Sequence, residues 1–156
     1  MHEGKIIEYI DQGKVICTLC LQDKGNRLHL LTSLNRQVNL APKRAVFISS
    51  SALEPSSPRE EILAGLKQKE SRREGLRQEI DVRDLWELVK DEEESFDYAY
   101  LAQLCFGEES TEDHVSALVR ALFEDKTYFK MKEGRFIPLA EEKAEKIIRQ
   151  REEEAQ

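Results

Sequence analysis

The stretch TYFKMKEGRFIPL, residues 127–139, decides the fold of the C-terminal half of this chain. Two short runs with aromatic residues flank Glu133-Gly134, a dipeptide suited to a tight turn, so the stretch predicts a β-hairpin. Before it, apolar residues recur at helical spacing in three segments, which predicts three helices: Val82-Leu85-Trp86-Val89, Tyr98-Leu101-Ala102-Cys105 and Val115-Leu118-Val119-Leu122. Three helices followed by a two-stranded hairpin is the order of a winged helix, with the hairpin as the wing.

Capping residues mark where these helices begin and end. Asp81 is predicted to begin the first helix, Ser95 the second, and Ser110 or Thr111 the third. Gly107 is predicted to end the second helix. After the hairpin, the apolar edge formed by Ala144, Ile147 and Ile148 predicts a charged C-terminal helix over residues 140–156.

The first fifty residues predict five short strands. Apolar and polar residues alternate with a period of two in 15–21, 28–30, 38–40 and 46–48, and a less regular strand covers 5–10. Five strands in fifty residues are too few for a two-layer sandwich, whereas closing the sheet on itself removes its exposed edges. We therefore expect a small β-barrel, SH3-like as the first choice and OB-like as the second.

The segment between the strands and the winged helix predicts a Ser/Pro-rich break followed by a charged connector helix. Ser57 can cap this helix, and Glu60 completes a capping box. Its apolar stripe is sparse and is weakened further by Gly65 and Gly75, so we expect a solvated helix. The predicted fold class is thus α+β, with domains at 1–50, 51–80, 81–139 and 140–156.

Charge is distributed unevenly along the chain. The 24 basic and 31 acidic residues give a net charge of −7. Residues 1–50, however, hold 7 basic and 4 acidic groups, whereas residues 81–139 hold 7 and 15. A polyanion is therefore expected to meet the first fifty residues first.

The predicted barrel is accordingly the first candidate for contact with a nucleic acid. Small barrels bind single strands through a basic surface and aromatic stacking faces, and Tyr9, His29 and Phe47 can stack on bases if they are exposed. The basic residues of this region are Lys5, Lys14, Lys24, Arg27, Arg36, Lys43 and Arg44. A smaller candidate patch on the wing consists of Tyr128, Lys130, Lys132 and Arg135. In both places the alternative is ordinary solvated surface charge.

The third predicted helix disfavours duplex DNA as a partner. In a helix-turn-helix layout this helix enters the major groove. Its predicted exposed residues are Glu112, Asp113, Ser116, Arg120 and Glu124. Phosphates repel such a set, because non-specific binding depends on Lys and Arg.

The residues themselves predict no catalytic or metal site. Cys17 and Cys20 form a CxxC pattern, but residues three apart in a strand point to opposite faces, and no second CxxC follows. His29 and His114 have no neighbouring nucleophile, and the acidic run 91–94 is expected in a loop. Three cysteines argue against a disulfide framework. With no long apolar run and no signal peptide, we expect a cytoplasmic protein.

Several stretches resemble the N-terminal region of a bacterial branch of the ribonuclease II family. They comprise Gly4 to Tyr9, 15–21, 28–32, 36–40, 84–89, 128–130 and 136–138. The resemblance implies a small barrel and a winged helix that precede a catalytic domain, which hydrolyses RNA from the 3′ end with Mg²⁺ held by aspartates. No part of that catalytic domain is recognised here, so no catalytic residue or Mg²⁺ ligand is carried over.

The resemblance therefore implies an accessory region that captures or guides single-stranded RNA, or shields the entrance to the active site, beside the enzyme's own catalytic domain. The alternative is a protein-interaction module built on the winged helix. An acidic winged helix suits docking to a basic protein partner or self-association.

Overall fold

A computed structural model of the chain describes residues 1–92 and 94–155. Glu93, in the predicted acidic loop, and Gln156, at the end of the predicted last helix, lie outside the described residues. The described part combines helices with antiparallel strands, so the fold class is α+β as predicted. The chain divides into two compact units. We call residues 1–75 the sheet unit and residues 76–156 the helical unit.

The sheet unit is built on five antiparallel strands, all of which the sequence predicts. They are β1 (Ile6–Asp11), β2 (Lys14–Asp23), β3 (Leu28–Thr32), β4 (Gln37–Leu40) and β5 (Ala45–Ser49). Their order in the sheet is β4-β3-β2-β1-β5. Asp11 pairs with Lys14, which leaves Gln12 and Gly13 as a two-residue turn. Both turn residues have positive φ, as a type I′ hairpin requires.

The closed barrel that the sequence predicts is not confirmed. Within residues 1–92 and 94–155, no hydrogen-bonded ladder joins the edge strands β4 and β5. The sheet must nevertheless curl, because the edge strands of a flat five-stranded sheet would lie roughly 19 Å apart, farther than the connection between them can reach. Only residues 41–44 link the two edges, and three of them form a compact 3₁₀ turn. Even fully extended, the five steps from Leu40 to Ala45 reach at most roughly 18 Å.

Both faces of the sheet bury apolar side chains. Neighbouring residues of a strand point to opposite faces, so Ile6 and Ile7 enter different clusters. The Ile6 cluster includes strand residues such as Leu19 and residues of the following helix. The Ile7 cluster consists of strand residues alone, as expected where a curled sheet packs against itself.

The connector helix is not the solvated helix that we predict from the sequence. α1 (Arg59–Arg77) packs on the sheet, with Ile62 and Leu66 almost fully buried in the Ile6 cluster. Gly65 does not merely weaken the helix. A Cβ at this position would lie 2.8 Å from a methyl group of Leu53, so the glycine makes room for Leu53 to pack.

A buried ion pair also fixes α1 to the sheet. The guanidinium of Arg73 donates to Glu8 Oε1 at 2.8 Å and to Ser49 Oγ at 2.8 Å. All three residues are at most 2% exposed. The Cζ of Arg73 lies 5.7 Å from the ring centre of Phe47. Taking two charges out of water is costly, and removing one partner leaves the other charge buried without compensation.

The helical unit has the predicted order of three helices, a hairpin and a final helix. Its elements are α2 (Val82–Val89), α3 (Tyr98–Phe106), α4 (Glu112–Asp125), β6 (Phe129–Lys132), β7 (Arg135–Pro138) and α5 (Glu141–Glu154). None of the described helices is long and apolar enough to cross a membrane.

Most of the predicted helix ends are confirmed. The Asp81 side chain accepts from the backbone N–H of Asp84 at 3.1 Å, and Gly107 ends α3 with a φ of 91°. Thr111 caps α4. The prediction that Ser95 begins α3 is wrong, because the Asp97 side chain caps that helix instead.

The hairpin wing is tied to the helices by backbone pairing. Lys132 pairs with Arg135 across a turn of Glu133 and Gly134, and both turn residues have positive φ. Phe96 exchanges two backbone hydrogen bonds with Phe136, at 2.8 and 2.9 Å, which extends the hairpin by one bridge. The wing is therefore held in place by the chain that leads into α3.

Replacing Arg73 tests the buried pair. Arg73→Met should lower the free energy of unfolding of the sheet unit by about 3–5 kcal/mol, because Glu8 is left buried without its cation. Lys67→Met, an exposed change on the same helix, should cost less than about 0.5 kcal/mol. Urea unfolding followed by far-UV circular dichroism measures the free energy of unfolding of both variants. Tryptophan fluorescence is not used, because the single tryptophan, Trp86, lies in the helical unit. Equal losses in the two variants would contradict this account.

Candidate nucleic-acid interface

Strand direction divides the predicted RNA contacts between two ends of the sheet. Antiparallel neighbours alternate in direction, so the β1–β2 and β3–β4 hairpins lie at one end and the β2–β3 hairpin at the other. Lys14 and Arg36 are exposed at the first end, which we call the groove end. Lys24 and Arg27 are exposed at the opposite end.

The other three cations are also exposed and extend these two groups. Lys5 belongs to the opposite end, since its carbonyl accepts from the backbone N–H of Cys20. Lys43 and Arg44 lie in the 3₁₀ turn that leads into β5. The first residue of β5 pairs with Tyr9, and the charge of Arg44 acts on the Tyr9 hydroxyl. Arg44 is therefore placed at the groove end.

Carboxylates offset the cations at the opposite end. The Asp23 carboxylate accepts from the backbone N–H of Gly25 at 2.8 Å and interacts with the His2 ring at 2.6 Å. These two contacts, the Gly25 amide first, hold the pKa of Asp23 below its usual value. A persistent negative charge therefore lies next to Lys24 at this end of the sheet.

The groove end is named for a groove of about 280 Å³. Its wall includes the β3–β4 loop, which the Thr32 hydroxyl fixes by accepting from the backbone N–H groups of Leu34 at 3.3 Å and Arg36 at 3.2 Å. The Leu34 side chain is left 74% exposed. The residues that line the groove include Tyr9, Asp11, Ser33, Leu34, Arg36 and Glu70. We call this feature the hairpin groove.

Two residues with little exposed surface line the hairpin groove, and their hydroxyl groups have no hydrogen-bond partner among the described residues. Tyr9 is 5% exposed and Ser33 is 9% exposed. Burial raises the pKa of Tyr9, the charge of Asp11 raises it further, and Arg44 opposes them. The phenol is therefore protonated at neutral pH and is a hydrogen-bond donor.

The aromatic residues that we predict as stacking faces do not form an exposed platform. The ring of Tyr9 is buried. His29 is half-buried, and its Nε2 lies 2.7 Å from Gln37 Oε1. Phe47 is also half-buried, next to the Arg73 guanidinium. Alternation in the sequence could not show that both faces of the sheet are covered.

The wing presents two of its four predicted contact residues. Lys130 and Lys132 are exposed and have no ion pair in the described part of the chain. Tyr128 packs on Trp86, with ring centres 5.0 Å apart. Arg135 is engaged, donating to Ser95 Oγ at 2.8 Å and to the Ser95 carbonyl at 3.0 Å.

Lys130 also borders a cleft that sequence reasoning missed. Lys126 and Lys143 join it around an apolar cleft of about 360 Å³ lined by residues such as Phe123 and Met131. Lys126 directly follows α4, Lys130 belongs to the wing and Lys143 to α5, so only the fold brings them together.

The predicted exposed face of α4 is partly wrong. Ser116 and Arg120 are buried, at 0% and 5% exposure. Of the predicted set, Glu112 and Glu124 are exposed and Asp113 is half-buried. The face is thus more acidic than the sequence suggests, and an acidic face repels phosphates.

The cysteines lie as the strand prediction requires. Cys17 belongs to the Ile6 cluster and Cys20 to the Ile7 cluster, so the two thiols point to opposite faces. Within residues 1–92 and 94–155, no three His, Cys, Asp or Glu side chains come together as a metal site.

A three-helix core followed by a hairpin makes the helical unit a winged helix domain. Residues 73–143 match the family model of the ribonuclease II winged helix domain. This match supports the resemblance to the N-terminal region of the ribonuclease II family that the sequence indicates. No curated protein and no solved structure matches the chain.

Burial should make the thiols slow to react. It raises the pKa of Cys20 and of Cys105 to about 11, from an ordinary value of 9.0. Because the thiolate is the nucleophile, this shift lowers the reactive fraction at pH 8 by about 100-fold. We expect iodoacetamide to label both cysteines at least that much more slowly in the native protein than in urea, measured by peptide mass spectrometry. Equal rates in the two states would contradict the burial.

Proposed function

We propose that this chain is an accessory RNA-guiding region of a 3′-to-5′ exoribonuclease of the ribonuclease II family. The opposite charge of the two units carries the proposal. The sheet unit has 12 basic and 9 acidic residues, a net charge of +3. The helical unit has 12 basic and 22 acidic residues, a net charge of −10. A polyanion is attracted to the first unit and repelled by the second.

In this proposal single-stranded RNA binds at the groove end of the sheet unit. Lys14, Arg36, Lys43 and Arg44 neutralise phosphates there, and the release of condensed counterions drives binding. We further propose that the curled sheet is a small barrel, SH3-like or OB-like, because such barrels commonly bind single strands. The acidic helical unit then limits the paths that the RNA can take, which is a way of guiding it.

The hydrolytic chemistry is assigned to a catalytic domain. Mg²⁺ is expected in that domain, as the family resemblance implies. The proposal places the protein in the cytoplasm and gives this region two partners, RNA and the enzyme's own catalytic domain.

A second candidate function is docking of a basic protein partner on the helical unit. Leu88 and Leu104 are 66% and 39% exposed, and both line a groove of about 220 Å³. Glu79, Asp81 and Asp84 line the same groove. Exposed apolar side chains with an acidic rim are typical of protein-interaction surfaces for cationic segments.

Charge reversal at the groove end tests the RNA proposal. Lys43→Glu/Arg44→Glu should weaken binding of a labelled U10 oligoribonucleotide by roughly tenfold or more at low salt and reduce the salt slope by about two. Fluorescence anisotropy measures both quantities.

Lys24→Glu/Arg27→Glu and Lys130→Glu/Lys132→Glu are matched controls, because each also reverses two exposed cations. We expect smaller losses in both, and weaker binding of duplex DNA by the unaltered chain. Losses of the same size in all three variants would refute the groove end as the contact. Absence of binding at low salt would refute the RNA function and favour the protein partner.

A further inference from the structure

We infer that the hairpin groove binds a single guanine base. The inference rests on the proposed function in one respect, because the base is taken to be presented by single-stranded RNA. It adds to that function a specific contact at a defined place, where the proposal above requires only phosphates and cations.

The size of the hairpin groove limits what it can hold. Its volume of about 280 Å³ lies just below the roughly 300–1,000 Å³ of pockets that enclose a whole small ligand. One planar base fits such a space, with its sugar and phosphate outside. Lys14 and Arg44, which are exposed at the same end of the sheet, are then available for the flanking phosphates.

The hairpin groove is already built for polar recognition. Tyr9 and Ser33 are at least nine-tenths buried as residues, and neither side-chain oxygen has a hydrogen-bond partner among the described residues. Neither oxygen belongs to the fully buried side-chain polar atoms without a partner, so both reach the open space of the groove. Both hydroxyls can therefore donate to a ligand that supplies acceptors.

The carboxylates in the hairpin groove select among the bases. Asp11 and Glu70 line it, and neither makes an ion pair or a side-chain hydrogen bond in the described part of the chain. A carboxylate accepts two parallel N–H groups, as it does from arginine. Guanine carries two adjacent donors, N1–H and N2–H, on its Watson–Crick edge. Uracil presents one donor, N3–H, between two acceptors, and adenine and cytosine each present one amino group beside a ring-nitrogen acceptor.

The other groups of the hairpin groove match the remaining edge of guanine. Its O6 and N7 atoms are acceptors, and an arginine or a hydroxyl can donate to them. Arg36, Tyr9 and Ser33 supply such donors in the same groove. The exposed Leu34 side chain and the apolar Val38 offer contact to the faces of the base.

A phosphate site or a cation site explains this set less well. Two carboxylates without ion pairs repel a phosphate, and Arg36 repels a metal cation. A neutral ligand with donors on one edge and acceptors on another satisfies all of these groups together. The combination therefore favours a base over either ion.

The test compares oligoribonucleotides that differ in one base. U10 and three ten-residue variants, each with G, A or C at one central position, are titrated by fluorescence anisotropy. We expect the G oligonucleotide to bind at least about fivefold more tightly than U10, which is the lower range for one bidentate contact. Asp11→Asn, Glu70→Gln and Tyr9→Phe, which change little volume, should each reduce this ratio.

Glu61→Gln is the matched control, because Glu61 is exposed on the same helix as Glu70 and does not line the hairpin groove. It should leave the ratio unchanged. Removing a negative charge can strengthen binding of all four oligonucleotides together, which is why the ratio, and not the affinity alone, is the readout.

The outcomes separate this inference from the proposed function. Equal binding of all four oligonucleotides, or a ratio that survives the groove variants, overturns the guanine site and leaves the RNA function standing. Binding of none of them overturns the RNA function. If no oligonucleotide binds, a titration with free GMP tests whether the groove takes guanine from a free nucleotide and not from RNA. Saturable GMP binding that Glu70→Gln abolishes supports a guanine site for a free nucleotide, and no GMP binding overturns the site.

Discussion

The buried contact of Arg73 with Glu8 and Ser49 is the constraint on which the sheet unit depends. It joins the far part of α1 to β1 and β5, two strands that are neighbours in the sheet. Apolar burial of Ile62 and Leu66 brings the helix to the sheet but does not specify its rotation or position closely. The ion pair specifies both the rotation and the position of the helix, because a buried charge is stable only where its partner lies within reach. The same helix carries Glu70 into the hairpin groove, so the geometry of the candidate site follows from this contact.

Local patterns predicted nearly every element of the fold. The alternation in 15–21 and the caps at Asp81 and Thr111 act over a few residues, and the structure confirms them. Apart from the cap of α3, which is Asp97 and not Ser95, the failures concern contacts between distant residues. Glu8 and Arg73 are 65 positions apart, and the burial of Ser116 depends on how the helices pack. No periodicity within one element contains that information.

The same division applies to the candidate site. Composition predicted that cations would gather in the first fifty residues, and those seven are exposed. It could not predict that strand direction would separate them into two groups, or that Asp23 would offset one group. The hairpin groove was not predicted, because Tyr9 was expected as an exposed stacking face and Ser33 gave no signal in the sequence. A tyrosine at a strand position also suits the core, and the ring of Tyr9 is indeed buried. Its hydroxyl, however, lines the hairpin groove.

The hairpin groove takes part of its wall from a loop, and this has a consequence for how such proteins diverge. Ser33 and Arg36 flank the turn between β3 and β4, whereas the buried clusters draw on the strands and on α1. Loops tolerate substitution and insertion better than the elements they connect. Substitutions in this loop can therefore change the lining of the hairpin groove while the sheet keeps its hydrogen bonds. In this architecture recognition evolves separately from folding.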